Sequence, residues 1–214
     1  LVVSHADDDH AGGALSIAKS RDPPWLLTSL APDDPLHDAF DHSVRCEAGL
    51  RWRWDDVDFA VLHPAREAYA PAPRRPRKEN DRSCVLRVAA AGGAALLTGD
   101  IEARSEAEML ARDAGALAAQ VLLVPHHGSK TSSTAAFIEA VRPRVGVLSV
   151  GYRNRFRHPA EPVVARYRSR GIVLRRTDEE GALRVVLPAD AAGTARVEPL
   201  VAERGYWSER SAPR

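Results

Sequence analysis

Short apolar runs broken by turn residues fill the first half of the chain, and strands alternate with helices in the second. Leu1–Ser4 and Trp25–Thr28 read as short strands, and Gly12–Ala18 can open a helix. Pro32–Phe40 is polar with prolines, which predicts a loop or short helix. Leu50–Trp54 alternates, Asp55-Asp56 turns, and Val57–Leu62 resumes the pattern, a hairpin signal. Ala70–Asp81 is rich in Pro and Arg and predicts an extended loop. Strands over Cys84–Val88 and Ala94–Thr98 flank Gly92-Gly93. Helix spacing follows over Glu102–Ala114, Thr134–Val141 (with Ser132 or Ser133 as N-cap) and Glu161–Ser169. Strands at Val121–Val124 and Val145–Val150 separate these helices, and Ile172–Leu174, Leu183–Leu187 and Arg196–Val201 complete the set. The pattern is α/β, sheets with helices on their outer faces. Residues 1–201 read as one domain and 202–214 as a polar tail.

Composition narrows this only slightly. The 214 residues suit one sizeable core, and 44% hydrophobic with 28% charged residues is a globular balance. A net charge of +1 gives no global attraction to nucleic acid or membrane, so any anion binding must be local. No apolar run approaches membrane-spanning length, and no signal-peptide pattern is present. Without an initiator Met, the sequence reads as part of a longer polypeptide whose other segments could carry membrane spans. Cys46 and Cys84 form no CxxC pair; they read either as two small buried hydrophobes or as one disulfide, which would favour an oxidising compartment.

The candidate chemistry lies at three strand ends. Ser4-His5-Ala6-Asp7-Asp8-Asp9-His10 packs two His and three Asp into six residues. Thr98-Gly99-Asp100 ends a second strand, and Pro125-His126-His127-Gly128-Ser129 follows a third. Ligand sites in α/β sheets form where strand ends converge. Taken singly, Asp100 reads as a helix N-cap and His126-His127 as a structural pair. Together, the three groups would fill the shells of two divalent cations around one bridging carboxylate. Gly128-Ser129-Lys130-Thr131 lacks the glycine and lysine spacing of a P-loop. Trp52 and Trp54 share one strand face and read as core packing, with base stacking as the other reading.

The motifs HxDxDH, TGD and PHHGS resemble those of the metallo-β-lactamase superfamily. SHADDDHAGG, the run CxxGxxWxWDxVxFxVLHP from Cys46 to Pro64, NDRSCVL at Asn80–Leu86, and Asn154 with His158-Pro159 extend the likeness to about residue 187. They resemble, more narrowly, the C-terminal hydrolase domains of the ComEC family of DNA-uptake proteins. The resemblance implies an αββα sandwich with metals at one edge of two sheets. The strands that normally precede the first motif are not seen here, which predicts an unpaired sheet edge.

By the same resemblance His5 and Asp7 would ligate one metal, Asp9 and His10 the second, and Asp100 would bridge them. His126 or His127 would complete the second shell, the usual pattern favouring His127. His63 is the candidate for a further motif, with an ordinary loop His as the other reading and Asn80 or Ser83 as substitutes. Asp7 stands where the commoner motif has His, which favours manganese or magnesium without excluding zinc. Asp9 would orient the attacking water. His158 would act as general acid or contact phosphate, or else simply precede a helix. Lys130 is a candidate catalytic residue that could contact phosphate, and Ser129, Asn154 and Arg155 are candidate phosphate contacts. Basic patches lie at Arg74–Lys78 and, with an aromatic among the cations, at Arg153–Arg157; the second could track a single strand. The resemblance implies a nuclease that degrades the non-transported DNA strand in competence, working with the uptake machinery. It would be a soluble domain of an inner-membrane protein, on the periplasmic or extracellular side, meeting the membrane only through other parts of the polypeptide. Competing readings are a hydrolase of a small ester or lactam and a non-catalytic DNA-guiding domain.

Overall fold

The computed structural model describes residues 1–70 and 78–200. Most of the first basic patch (Arg74, Arg75, Arg77), Val201 and the polar tail lie outside the described residues. Strands β1 (Val2–Val3), β2 (Trp25–Thr28) and β3 (His42–Arg45) form a parallel sheet in the order β1-β2-β3. Helices α1 (Asp8–Ala11) and α2 (Ala14–Arg21) connect β1 to β2. The larger sheet holds β4 (Arg51–Trp54), β5 (Val57–His63), β6 (Val85–Ala90), β7 (Gly93–Leu97), β8 (Val121–Leu123), β9 (Val145–Leu148) and β10 (Val173–Arg176). Its order is β10-β9-β8-β7-β6-β5-β4, antiparallel from β4 to β7 and parallel from β7 to β10. The parallel part follows from α3 (Ala103–Asp113), α4 (Ala135–Val141) and α5 (Glu161–Arg168), which supply the crossovers that parallel pairing requires. A turn of helix, α6 (Thr177–Glu180), precedes the hairpin β11 (Leu183–Val186) and β12 (Arg196–Pro199).

Alternation along the strands sorts the core into layers. Leu96, Leu122 and Leu148 point from the large sheet toward Met109, Phe137, Ile138, Val163 and Tyr167 of the outer helices. Their neighbours Ala95, Val121 and Val147 face the other way, onto Ala195 and Val197 of the terminal hairpin. Leu27 of the small sheet packs against Val61 and Leu86 of the large one, and α2 covers the small sheet's outer face through Ala14. The result is the expected αββα sandwich, in which each fully buried Leu contributes about 1.5–3 kcal/mol. Among the described residues β1 is an edge strand, paired only with β2.

Three details differ from the sequence pattern. Strand β3 was not expected, because its residues are mostly exposed and show no apolar alternation. The N-cap of α4 is Thr134, whose hydroxyl accepts from Phe137 N, rather than Ser132 or Ser133. Trp52 and Trp54 are not core: with Trp25, Leu50 and Val2 they line an open apolar groove of about 710 Å³, and Trp52 stacks on Phe59.

Cys46 and Cys84 are joined by a disulfide between the end of the small sheet and the residue preceding β6. The bridge closes a sequence separation of 38 residues. Reduction is expected to lower unfolding stability by about 2–4 kcal/mol, through the entropy returned to the unfolded chain. Calorimetry with and without reductant checks this; an unchanged Tm, with one free thiol per cysteine titrated beforehand, would contradict the bridge.

Candidate metal centre

The polar strand ends meet at one edge of the sandwich. Ser4 and His5 follow β1, Thr98–Asp100 follow β7, Pro125–Gly128 follow β8, and Asn80–Ser83 enter β6 from the same edge. Gly99 makes the meeting possible. Its φ is +53°, and a Cβ there would lie 3.0 Å from the Cβ atoms of both Ser4 and Ser83. The histidine pair sits in a more costly conformation: His126 (φ 50°) and His127 (φ 53°) are both left-handed, at about 1–3 kcal/mol each. Gly128 (φ +80°) packs so closely on Pro159 that a Cβ would be 2.7 Å from it.

Asp100, only 4% exposed, stands at the centre. Its carboxylate lies 3.1 Å from His10 Nε2, 3.5 Å from His127 Nε2, 3.7 Å from His126 Nε2 and 4.0 Å from His5 Nε2. Asp7 approaches His5 Nε2 at 3.4 Å, and Asp9 approaches His127 Nε2 at 3.1 Å and His10 Nε2 at 3.9 Å. His10 and His127 set their Nε2 atoms 3.3 Å apart. Potential ligand atoms cluster within 4.8 Å of one another in two sets, His5/His10/Asp100 and Asp9/His10/His127.

The outer nitrogens explain why Nε2 faces inward. His127 Nδ1 donates to the Ser149 carbonyl at 2.6 Å, leaving a lone pair on Nε2. Ser4 Oγ bridges His5 Nδ1 (3.0 Å) and His10 Nδ1 (3.1 Å), and Ser29 donates to the Ser4 carbonyl. Ser83 Oγ reaches His5 Nδ1 at 3.3 Å and accepts from Asp100 N at 3.1 Å. Such outer partners fix ring orientation and tautomer at metal centres.

The charges respond accordingly. Burial alone would raise Asp100, but the His10 hydrogen bond and the charges of His127 and His126 hold its carboxyl below the usual range. Burial opposes charge on His10 too, yet its hydrogen bond to Asp100 and the nearby carboxylates raise it. Burial, then repulsion from His10, lowers His5. The residues fit a divalent cation: His5 Nε2 is fully buried without a hydrogen-bond partner, and inward nitrogens alternate with carboxylate oxygens.

Other predicted residues stand apart from the two sets. His63 is fully buried, and its Nε2 donates to the Asp81 carbonyl at 2.9 Å; it belongs to neither set. His126 belongs to neither set, with Asn80 Nδ2 at 3.5 Å from its Nε2 and Glu102 Oε1 at 3.6 Å from its Nδ1. Asn154, a candidate phosphate contact, spends its amide on the loop: Nδ2 donates to the His158 carbonyl and Oδ1 accepts from His158 N, each at 2.8 Å. His158 packs edge-on to His126 at 5.9 Å between ring centres, and burial followed by the charges of His126 and His127 lowers it. Ser129 is buried and bonds Thr131 Oγ1, whereas Lys130 and Arg155 are exposed. Sequence reasoning missed Ser4, Ser29 and Ser149, whose roles depend on folding and leave no pattern in the chain.

Comparison with known proteins agrees with this architecture. The model of the Metallo-beta-lactamase superfamily matches residues 1–152. "Competence protein ComA" of Neisseria gonorrhoeae is 39% identical over 210 residues, 98% of this chain and 28% of the relative. "Recombination protein 2" of Haemophilus influenzae is 35% identical over 187 residues, 86% of this chain and 22% of the relative. "ComE operon protein 3" of Bacillus subtilis is 32% identical over 192 residues, 86% of this chain and 24% of the relative. The chain thus spans about a quarter of the length of these relatives. A solved metal-dependent hydrolase of the beta-lactamase superfamily shares the fold at a TM-score of 0.51, with 11% identity, covering 82% of this chain and 75% of that one. The chain belongs to the metallo-β-lactamase superfamily of hydrolase folds.

Proposed function

We propose that this chain is a divalent-metal-dependent phosphodiesterase, which degrades the non-transported DNA strand in competence as the hydrolase domain of a longer DNA-uptake protein. The observation that carries the reading is Asp100: one buried carboxylate within 4.0 Å of four imidazole nitrogens, flanked by Asp7 and Asp9. His5, Asp7 and Asp100 would hold one cation, and Asp9, His10, His127 and Asp100 the second, since His10 has only its Nε2 lone pair to give. The competence names of the relatives supply the DNA.

When bound, such cations lower the pKa of water and neutralise phosphoryl oxygens. The protein's own residues do the rest. Asp9, 64% exposed at the mouth, orients the attacking water and accepts its proton. His158, held by the Asn154 bracket and kept neutral by burial and its histidine neighbours, would contact the phosphate. Lys130 and Arg155 meet the flanking phosphates, while Ser129 shapes the loop. Asn154 therefore acts on substrate through His158. The oxygen ligand Asp7 favours manganese over zinc.

No helix among the described residues is long and apolar enough to cross a membrane. The Cys46–Cys84 bond suits an oxidising compartment, which supports the periplasmic or extracellular side, with membrane attachment through segments outside this chain.

With Mn²⁺, the chain is expected to cleave a single-stranded oligonucleotide, to lose that activity to chelator, and to lose about 10²–10⁴-fold in Asp9→Ala. Binding without cleavage in both Mn²⁺ and Zn²⁺ would sink the enzyme reading. Turnover of a lactam or small ester in place of DNA would favour the other hydrolase class.

A further inference from the structure

We propose that Phe156 and Arg155 form a stacking platform for a nucleobase of a single strand whose phosphate lies at the Asp100 cluster. The inference deepens the phosphodiesterase reading and rests on it. The Phe156 ring is 64% exposed. An aromatic ring left this open beside a row of histidines suits a ligand with a planar apolar face.

Its position gives the ligand's second property. Phe156 lies nearly parallel to His158, with ring centres 5.9 Å apart, and His158 in turn packs on His126, which faces Asp100. A continuous row of rings thus leads from the cluster to Phe156. The Arg155 guanidinium lies 4.8 Å from the Phe156 ring centre. The same pairing recurs at the other end of the loop, where Arg153 lies 5.2 Å from the ring centre of Tyr152, itself 46% exposed.

Residues 151–158 carry three Arg and no acid, so this stretch is one of two locally basic segments in a chain of net charge +1. Planar faces interleaved with fixed cations match an alternation of bases and phosphates, the recognition mode of single strands. A lactam or small ester would need neither the two aromatic pairs nor the three cations. The loop is closed on itself, since Asn154 brackets both backbone groups of His158, and it meets the site where His158 packs on His126. Base contact made here would set where the strand is cut, with little preference among bases, because every base offers a π face.

The test uses the Mn²⁺-loaded chain and a fluorescein-labelled, cleavage-resistant phosphorothioate oligo-dT. Phe156→Ala is expected to weaken binding by roughly 5- to 150-fold, Phe156→Trp to restore it, and Trp54→Ala, an exposed aromatic on the β4 edge, to leave it unchanged. An abasic strand of equal charge should bind the wild type about as weakly as the intact strand binds Phe156→Ala. With cleavable strands, Phe156→Ala should raise KM on the intact strand and behave like wild type on the abasic one. Equal binding of oligo-dT by wild type and Phe156→Ala overturns the platform and leaves the phosphodiesterase reading intact. Phe156-dependent binding without any cleavage supports the platform and removes the enzyme instead. Binding of anionic lipid vesicles but not oligo-dT would assign the loop to a membrane surface and overturn the proposal.

Discussion

Asp100→Asn is expected to weaken divalent-metal binding by more than 100-fold and to abolish metal-dependent hydrolysis. The change keeps side-chain volume but removes the charge that lies within 4.0 Å of four imidazole nitrogens and that both proposed cations would share. It also substitutes an NH₂ for one carboxylate oxygen, so a donor would face the inward Nε2 atoms of His10 or of His127 and His126. Loss of an outer hydrogen-bond partner at a metal centre costs about 10–100-fold in affinity, and a shared ligand must cost more. Metal titration by calorimetry measures the affinity directly. Thermal unfolding supplies an independent readout: metal at 100 times its Kd should stabilise the wild type by about 2.7 kcal/mol and leave Asp100→Asn unmoved. Wild-type metal affinity in Asp100→Asn would remove Asp100 from the centre and the two-metal arrangement with it.

The sequence exposed this centre because its donors are dense and sit at strand ends. His5 through His10 is too crowded with imidazoles and carboxylates to be an ordinary turn, and the TGD and PHHGS segments each follow an apolar run. The layers were legible for the same reason: β7, β8 and β9 are apolar on both faces, as buried parallel strands must be. Features set by tertiary partners were not legible. His63 and His127 look alike in sequence, each beside an apolar strand, yet one donates to a backbone carbonyl within the core and the other turns its Nε2 toward Asp9 and Asp100. Asn154 has the character of a phosphate contact until its amide is seen to close on His158. Trp52 and Trp54 alternate as core residues do, but they sit on an edge hairpin facing an open groove.

Glu106 was equally hidden, and the second large effect rests on it. In sequence it is one more helix former within Glu102–Ala114; in the fold it is fully buried on α3. Its carboxylate accepts from the backbone N–H groups of Ser133 and Thr134 at the head of α4. Arg166 donates to the carbonyls of Ser132 and Ser133, and Tyr167 donates to Ser133 Oγ, so the network closes around one turn. Ser132 in turn donates to the Pro125 carbonyl, immediately before His126. Glu106→Leu would leave two buried N–H groups without acceptors, at about 1–3 kcal/mol each, for a total loss of about 3–5 kcal/mol. Glu106→Gln retains one acceptor and should lose roughly half as much. The pH dependence separates the two forms of the carboxyl. Burial pushes Glu106 above its ordinary value of 4.5, against the pull of the Thr134 and Ser133 hydrogen bonds. The folded state therefore binds this proton more tightly than the unfolded state. Its contribution to stability is full below 4.5 and falls as pH rises through the folded value, a slope that Glu106→Gln lacks. Urea unfolding of the three proteins across that window measures both effects, and parallel profiles for wild type and Glu106→Gln would contradict the assignment. Because the network ends at Pro125, Glu106→Leu should also loosen the two left-handed histidines and weaken metal binding, although Glu106 is itself no ligand. A variant that loses stability but keeps full metal affinity would show that the strained His126-His127 turn is held by its own strand, and not by the buried carboxylate behind it.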